Sequence, residues 1–243
     1  MIKKNCIVLV VLIFVQLLFS EQQTIHIATL EYPPFIYFEN DQVKGPISEK
    51  VRDLFQELGI NVIIKIYPIA RGLFMVTKGD ADAYFSLKKT PEREKQLLFT
   101  NEPLIQQPFV FFTTKESGIV WTGSIEDIKK YTIGVVSKTS YGAVFDNYVR
   151  NGIITNLDEA QTFEQNIRKL IAGRVDLVIN SYDVGLTLLD KLQVENLIAL
   201  LPPVEVVYSY LAFTKAKDYS ELVEKYDILL KQKNKLKKQI LSN

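Results

Sequence analysis

The residue best suited to ligand chemistry in this chain is Arg93, which lies in the segment Gly79–Pro103 (GDADAYFSLKKTPEREKQLLFTNEP). Thr90 is a good N-cap and Pro91 is favoured at the first helical position, so the spacing predicts a helix that begins here. Arg93 then falls in the first turn, where the helix macrodipole disfavours a cation by roughly 0.3–1 kcal/mol. A guanidinium held beside free backbone N–H groups makes a strong carboxylate clamp, because it offers a planar fork of donors. The alternative is an ordinary surface arginine paired with a neighbouring glutamate.

Beyond this arginine, the residue types that carry catalysis or metal binding are scarce. The one histidine, His26, lies inside the first predicted strand and is most simply a core or edge residue. The sequence has no HExxH motif and no nucleophile elbow, so neither a catalytic triad nor a metal cluster can be built around it. The one cysteine, Cys6, lies in the N-terminal leader, so the exported chain has no disulfide. We expect no cofactor, no metal and no enzymatic activity.

The N-terminus has the pattern of a secretory signal peptide over residues 1–20. The first five residues carry two lysines, Cys6–Phe19 is apolar apart from Gln16, and Ser20 is a small residue at the cleavage site. The apolar run is short for a spanning helix. An uncleaved anchor stays open as the alternative, because Leu18 is a poor match to the small-residue rule. No later stretch of the sequence is long enough and apolar enough to cross a membrane.

Composition indicates a folded globular protein that does not bind nucleic acid. The chain has 243 residues, of which 47% are hydrophobic and 23% charged, enough for one large domain or two smaller ones. The net charge falls from +1 to −1 once Lys3 and Lys4 leave with the signal peptide, so no basic excess points to nucleic acid or to an anionic membrane. The lysines of the final helix, predicted from Leu222 to Ile240, are most simply a solvated face. A membrane-binding helix is the alternative, which the acidic residues of the same helix disfavour.

The hydrophobic pattern predicts two successive α/β halves. The first reads βαβαβ, and short parallel strands with crossover helices make an open α/β sheet. The pattern restarts after Pro103, so we expect two lobes of similar build. The predicted strands are Thr24–Leu30, Asn61–Tyr67, Asp82–Ser86, Pro108–Thr114, Tyr131–Val136, Ile153–Asn156, Asp176–Asn180, Asn196–Leu200 and Glu205–Thr214. The predicted helices begin near Ile47, Ile69, Pro91, Tyr141, Phe163, Tyr182 and Leu222, with a short helical turn at Ser124–Lys129.

Five segments, in this order, resemble the periplasmic solute-binding proteins of family 3, the polar amino-acid binding proteins. Each segment is weakly specific alone, but together, behind a signal peptide, they are fairly specific, and they cover essentially the whole mature chain. They are Tyr32-Pro33-Pro34-Phe35 after the first strand; Gly45 to Gly59 with Glu49; Lys78-Gly79-Asp80-Ala81-Asp82; Thr90-Pro91-Glu92-Arg93 with Phe99-Thr100; and Gly173-Arg174-Val175-Asp176.

The resemblance implies a periplasmic binding protein type II fold, in which two open α/β lobes are joined by two hinge strands. Residues 21–102 and 210–243 would form lobe 1 and residues 108–204 lobe 2, with hinges near 103–107 and 205–209. The ligand would lie between the lobes, at the carboxyl ends of the strands. Its binding would close the hinge, because only the closed state contacts it from both sides. We expect a monomeric periplasmic protein that serves the membrane permease of an ABC importer.

The resemblance also implies the residues that bind the ligand. Arg93 corresponds to the arginine that clamps the ligand carboxylate, which gives a reason for its place in a helix first turn. Tyr32 corresponds to the aromatic residue that stacks on the ligand; the alternative is a turn aromatic that packs on lobe 1. Ser86 matches a polar contact position. Thr139 and Ser140 match the helix N-terminus that donates to the ligand carboxylate.

Two positions depart from the family's pattern. The carboxylates that receive the ligand's α-ammonium fall at Thr29 and Ser181, and neither residue is charged. A buried ammonium without a carboxylate is costly. Glu31 and Asp183 each lie two residues away and are candidate substitutes, although a shift of two along a strand moves a side chain by roughly 6–7 Å.

Additional cations accompany the predicted cleft. Lys88 and Arg71 are candidate ligand contacts besides Arg93. Lys138 stands where the family usually has glycine, which leaves open a different backbone in that loop. Our hypothesis is that the site prefers a carboxylate or another anion that lacks a standard α-amino recognition pair.

Other functions stay open on the same fold. A few relatives act as dehydratases on cyclic carboxylates, and Glu31 near Arg93 could then serve as a base. The same lobes also occur as extracytoplasmic sensor modules, although these 243 residues include no kinase or other output domain. A stand-alone ligand sensor is therefore the main alternative to an importer component.

Overall fold

The computed structural model of this chain describes residues 24–241, with side chains as far as Lys235. The predicted signal peptide and Cys6 lie outside the described residues. Within them, strands and helices alternate as the sequence predicts, and no helix there is long and apolar enough to cross a membrane.

The first half of the chain is built around three parallel strands. Strand β1 lies between β4 and β5, and its residues Ile25, Ile27 and Ala28 are buried. The elements are β1 (Thr24–Thr29), β2 (Tyr37–Glu39), β3 (Gln42–Lys44), α1 (Pro46–Glu57), β4 (Asn61–Ile66), α2 (Ile69–Lys78), β5 (Ala83–Leu87), α3 (Pro91–Gln96) and β6 (Leu97–Phe99).

The second half repeats this alternation of strands and helices before the chain returns to the first half. Strands β8, β9 and β10 are parallel, and β11 then runs back along the whole molecule. The elements are β7 (Ile105–Thr114), β8 (Ile133–Val136), α4 (Ala143–Arg150), β9 (Leu157–Ala160), α5 (Phe163–Ile171), β10 (Leu177–Ser181), α6 (Tyr182–Lys191), β11 (Leu197–Thr214) and α7 (Ser220–Leu241).

Two antiparallel strands, β7 and β11, connect the halves. The strand order is β4-β1-β5-β11-β7-β10-β8-β9, with β6 also pairing β11, so β11 borders the first half and β7 the second. The two strands pair with each other from Ile105 with Ser209 to Phe109 with Glu205. The predicted α/β fold of two lobes joined by two strands is thus present. The hinge positions and lobe boundaries themselves stay predictions, since a single conformation records no movement.

Local sequence features determine where α2 ends and where α3 begins. Gly79 ends α2 with φ 85°, a left-handed conformation that glycine adopts without steric cost. The Thr90 hydroxyl accepts a hydrogen bond from the Arg93 N–H at 3.3 Å, and Pro91 opens α3. The predicted start of this helix is confirmed.

One predicted strand is wrong. Residues 153–156 are not a strand, and the strand that pairs with β8 is Leu157–Ala160. The N–H groups of Ile153 and Ile154 donate instead to the Tyr148 carbonyl, at 2.9 and 3.2 Å, so this segment closes the end of α4. An apolar run after a helix has the same composition whether it caps the helix or begins a strand.

Two further departures concern strand continuity. The segments predicted as separate strands at Asn196–Leu200 and Glu205–Thr214 belong to the single strand β11, whose register shifts between Leu200 and Glu205. The β2–β3 hairpin and the short β6 carry too few residues for a hydrophobic period to reveal them.

The C-terminal helix α7 is anchored to the first lobe by burial and by hydrogen bonds. Tyr226 is buried with its ring centroid 5.3 Å from that of Phe55 on α1. The Asp227 carboxylate accepts from the N–H groups of Asn101 and Glu102, at 2.8–2.9 Å. Helix α7 therefore holds in place the segment that leads into β7.

Candidate functional site between the lobes

Residues from both halves of the molecule meet around a small cleft beside β7 and β11. The cavity that remains between them is about 30 Å³, so the two lobes stand closed on each other. The first half contributes Leu30, Tyr32, Ile69, Tyr84, Ser86, Leu87, Lys88 and Arg93; the second contributes Thr139, Ser140 and Phe163; and β11 contributes Ser209.

Arg93 spans this cleft. Its Nη1 donates to the Lys88 carbonyl at 2.9 Å within its own lobe, and its Nη2 donates to the Lys138 carbonyl at 2.7 Å in the other lobe. Burial is the main influence on its pKa and lowers it, yet guanidinium keeps its charge in proteins. Among the described residues it forms no ion pair, so the alternative of an arginine paired with a neighbouring glutamate is not what the structure shows. In the described structure the guanidinium donates its hydrogen bonds to backbone carbonyls, which a carboxylate ligand could replace.

Lys88 is a second cation in the same cleft. Its Nζ lies 4.0 Å from the centroid of the Phe109 ring, in cation–π geometry. Burial, with Arg93 adding repulsion, lowers its pKa to about 7, while Asp146 and Glu205 oppose the shift. The charge of Lys88 therefore depends on pH near neutrality.

Tyr32 reaches across the cleft floor to the second lobe. Its side chain is 3% exposed, and its ring centroid lies 5.3 Å from that of Phe163. Burial raises the pKa of its hydroxyl, and the neighbouring side chains of Ser181 and Gln107 oppose the shift. Those two neighbours are joined to each other, since Gln107 Nε2 donates to Ser181 Oγ at 3.1 Å.

The loop at the start of α4 brings Thr139 and Ser140 to the cleft. The Ser140 hydroxyl donates to the Asp146 carboxylate, while Thr139 Oγ1 is buried and finds no partner in the described part of the chain. Lys138 has φ 59°, the left-handed conformation that glycine prefers. The loop thus keeps a glycine-type backbone although the residue is lysine.

Two cleft residues with hydroxyl groups, Tyr84 and Ser209, and four apolar ones, Leu30, Ile69, Leu87 and Phe163, are absent from the sequence-based predictions. Tyr84 is 1% exposed, and its hydroxyl has no hydrogen-bond partner among the described residues. It stands two residues before the predicted contact Ser86 on β5, so the period of two along a strand could have identified it. Ser209 lies where β11 passes the cleft, a placement that depends on tertiary structure alone.

Comparison with known proteins identifies the family. The sequence model of the bacterial extracellular solute-binding proteins, family 3, matches residues 25–235. The chain belongs to this family. No curated protein sequence matches it.

Solved structures share the fold of this family-3 protein. An ancestral arginine-binding protein bound to arginine has a TM-score of 0.75 at 22% identity, covering 88% of this chain and 93% of that one. A histidine kinase sensor domain with similarity to periplasmic binding proteins has a TM-score of 0.79 at 17% identity, covering 90% and 93%. The substrate-binding protein of an amino acid ABC transporter has a TM-score of 0.71 at 19% identity, covering 87% and 93%. The resemblance seen in the sequence and the predicted periplasmic-binding-protein fold are both confirmed.

Four predicted contacts of this solute-binding protein lie outside the cleft lining, and one of them, Ser181, is fully buried. Arg71 is exposed, and its guanidinium carbon lies 5.3 Å from the centroid of the Tyr67 ring. Asp183 is exposed in the first turn of α6. Glu31 is also exposed and borders a neighbouring groove between the lobes. Asp183 nevertheless lies close enough to the Tyr32 hydroxyl for its charge to help raise the pKa of that hydroxyl.

The neighbouring groove has a volume of about 400 Å³ and shares Leu30, Ile69 and Phe163 with the cleft. Its charged residues include Glu164 and Lys191, which form an ion pair with an Nζ–Oε2 distance of 2.9 Å. Within the described residues, no group of three or more histidine, cysteine or acidic side chains could hold a metal ion.

Proposed function

We propose that this chain captures a small carboxylate-bearing solute between its lobes, with Arg93 as the carboxylate clamp. The observation that carries the proposal is the guanidinium that bridges the lobes through two carbonyls and has no acidic partner in the described structure. A carboxylate accepts from such a fork in two parallel, charge-assisted hydrogen bonds. The gain in binding energy would favour the closed state, since Arg93 and Thr139 approach the same ligand only there.

The remaining residues support the carboxylate in defined ways. Lys88 adds a second positive charge, and Thr139 and Ser140 present hydroxyl groups from the opposite lobe. Tyr32 and Phe163 supply an aromatic wall across the cleft. Ser86, whose φ is 63°, places its side chain at the end of β5 beside Lys88. These groups bind and orient a solute, and none of them forms a nucleophile–base pair, so the proposal includes no chemical step.

The setting we propose is an exported, monomeric binding protein of an ABC-type importer. The N-terminal pattern indicates a secretory signal peptide and hence the periplasm, and the fold is shared with the substrate-binding protein of an amino acid ABC transporter. A ligand sensor that signals to a separate membrane protein is the second candidate. It is favoured by the likeness to a histidine kinase sensor domain over 90% of this chain.

A thermal-shift panel on the mature protein tests the carboxylate proposal. The panel contains the common L-amino acids, small mono- and dicarboxylates, neutral sugars and polyamines. A ligand at ~100 times its dissociation constant stabilises the fold by about 2.7 kcal/mol, which is easily measured. We expect a carboxylate to shift the midpoint and its primary amide to have no effect, and the ligand to be recovered unchanged. An equal shift by the amide, or shifts by sugars or amines only, would overturn the proposal.

A further inference from the structure

The position at which the family resemblance leads us to expect a carboxylate for the ammonium group of an amino-acid ligand carries a serine, Ser181. Ser181, at the position expected for that carboxylate, is fully buried, and its Oγ accepts from Gln107 Nε2. The group beside both of them is the hydroxyl of Tyr32. This hydroxyl is buried and makes no well-formed hydrogen bond within the described structure, although Ser181 and Gln107 stand close to it, so it has capacity left to donate and accept. The recognition point therefore offers neutral oxygen and amide groups.

The charges around the cleft also disfavour an ammonium group in the ligand. The two charged side chains that line it in the described structure are the cations Arg93 and Lys88. The two carboxylates that act on Lys88 are engaged at the start of α4, where Asp146 accepts from the Tyr141 N–H at 2.9 Å and Glu205 from the Val144 N–H at 2.8 Å. The exposed Asp183 acts on the Tyr32 hydroxyl but does not line the cleft. An ammonium in the cleft would meet two like charges and, in the described lining, no carboxylate, which is costly in a buried site.

Two more buried hydroxyls have unused hydrogen-bonding capacity. The Tyr84 hydroxyl and Thr139 Oγ1, from opposite lobes, both line the cleft and have no partner among the described residues. A buried hydroxyl without a partner is costly, so each is expected to meet a polar atom of the ligand. A hydroxyl can donate to a carbonyl oxygen and can either donate to or accept from another hydroxyl.

We propose that the ligand is a small carboxylate whose neighbouring polar substituent is an uncharged oxygen, a 2-hydroxy or 2-oxo acid rather than a 2-amino acid. The inference rests on the proposed function, since it takes Arg93 as the carboxylate clamp and assigns the second recognition point. Tyr32 is then a specificity-determining residue, and its hydroxyl lies beside Ser181 and Gln107. The cleft would discriminate against amino acids by leaving their ammonium unpaired.

The test compares acids that share a carbon skeleton and differ only at C2. The probes are L-lactate, pyruvate and L-alanine; L-malate, oxaloacetate and L-aspartate; and L-phenyllactate, phenylpyruvate and L-phenylalanine, each titrated by calorimetry. We expect the 2-hydroxy or 2-oxo acid of at least one skeleton to bind about tenfold or more tightly than its amino counterpart, the effect of one unpaired buried charge or hydrogen bond. A 2-amino acid that binds as tightly as its partners would overturn the inference and leave the carboxylate proposal standing. Absence of binding by all nine acids would overturn both.

Three variants show which residue makes the cleft select against amino acids. Ser181→Asp supplies the missing carboxylate, so we expect it to reverse the preference in favour of the amino acid, while Ser181→Ala keeps the wild-type order. Tyr32→Phe removes a hydroxyl that makes no well-formed hydrogen bond in the described structure, so the midpoint of unfolding is expected to stay nearly the same. Its affinity for the hydroxy or oxo acid should nevertheless fall about fivefold. If Tyr32→Phe binds as tightly as wild type, the hydroxyl does not contact the ligand and the inference is wrong, whether or not Ser181→Asp folds.

Discussion

Lys88 is the residue whose protonation matters most for this site. Its ammonium group is held against the Phe109 ring with Arg93 close by, and burial lowers its pKa to about 7. An anion bound beside it would favour the charged form and raise that pKa again. Ligand binding and proton uptake at Lys88 are therefore coupled.

The coupling predicts the pH dependence of affinity. Below pH 7 Lys88 is charged before the ligand arrives, whereas above pH 7 it must take up a proton on binding. Affinity for a carboxylate is thus expected to be highest below pH 7 and to fall as the pH rises, by up to about tenfold per unit. Calorimetry from pH 6 to 8.5 in buffers of different ionisation enthalpy measures both the affinity and the protons taken up. A Lys88→Met variant serves as the control and should show a flat profile; an equally steep profile would refute the assignment to Lys88.

We also expect Lys88 to lower the stability of the unliganded protein while it strengthens the binding of an anion. Its folded pKa lies below the unfolded value, so the unfolded chain binds more protons between pH 7 and about 10.4, and stability rises with pH through that window. The cost of burying the charge is fully present below pH 7. We expect Lys88→Met to stabilise the unliganded protein by about 1 kcal/mol at pH 6, with a smaller gain at pH 9. Urea denaturation at both pH values measures it, and a gain independent of pH would contradict the account.

At the scale of elements, the short helix α3 sets the position of Arg93. The Thr90 hydroxyl caps the helix by accepting from the Arg93 N–H. Removing an N-cap costs about 1 kcal/mol and frees the first turn. We therefore expect Thr90→Ala to lower both the stability and the carboxylate affinity, by differential calorimetry and titration respectively.

A second cap gives the comparison for this prediction. Thr162 accepts from the Gln165 N–H at 3.1 Å and caps α5 in the same way. The Thr162→Ala variant should lose a similar amount of stability. Its affinity for the carboxylate should fall less than that of Thr90→Ala, because the guanidinium of Arg93 stays in position. If both variants lost affinity equally, the effect of Thr90 would be general destabilisation rather than displacement of the guanidinium.

Some elements can be predicted from the sequence better than others. Local properties of the sequence predict the start of α3, the end of α2 and most strands. These properties are the helix-capping residue, the glycine at a helix end and the spacing of hydrophobic residues. The strand at Leu157–Ala160 was misplaced because its neighbour residues 153–156 have the same apolar character. The residue pattern predicts the polar loop after β8, and the left-handed φ of Lys138 shows that a lysine adopts the glycine-type backbone there.

The site itself was only partly predictable. Arg93 could be singled out because a cation in a helix first turn is unfavourable without a purpose. Tyr84 and Ser209 come to the cleft through the pairing of β11 with β5 and β7, which no local pattern contains. Arg71 was expected near the cleft from its place in the chain, but the first turn of α2 directs it to solvent beside Tyr67.

At the scale of the whole molecule, the account requires the lobes to separate and close about β7 and β11. The contacts of Arg93 with the Lys138 carbonyl and of Tyr32 with Phe163 join the two lobes, and we expect them to break when the lobes separate. We expect the radius of gyration measured by small-angle X-ray scattering to fall when a bound carboxylate is added. An unchanged radius at saturating ligand would mean that the protein binds without closing.

The tryptophan provides an internal control for that experiment. Trp121 Nε1 donates to the Pro202 carbonyl at 2.7 Å, and its ring packs against Phe111, so its surroundings belong to the second lobe and the adjoining bend of β11. Rigid-body closure leaves these contacts intact. Its emission is therefore expected to stay constant while the radius of gyration falls; a large emission change would show that the second lobe rearranges internally.

The measurement that tests the central claim most directly is calorimetric titration of wild-type, Arg93→Ala and Arg174→Ala proteins with the carboxylate that stabilises the wild type most. Arg174 is an exposed arginine between α5 and β10, so its removal controls for the loss of one positive charge. We expect Arg93→Ala to weaken binding by at least about 2 kcal/mol, the usual cost of losing a charge-assisted hydrogen-bonded pair, and Arg174→Ala to bind like wild type. Equal affinities for all three proteins would contradict the role of Arg93 as the carboxylate clamp.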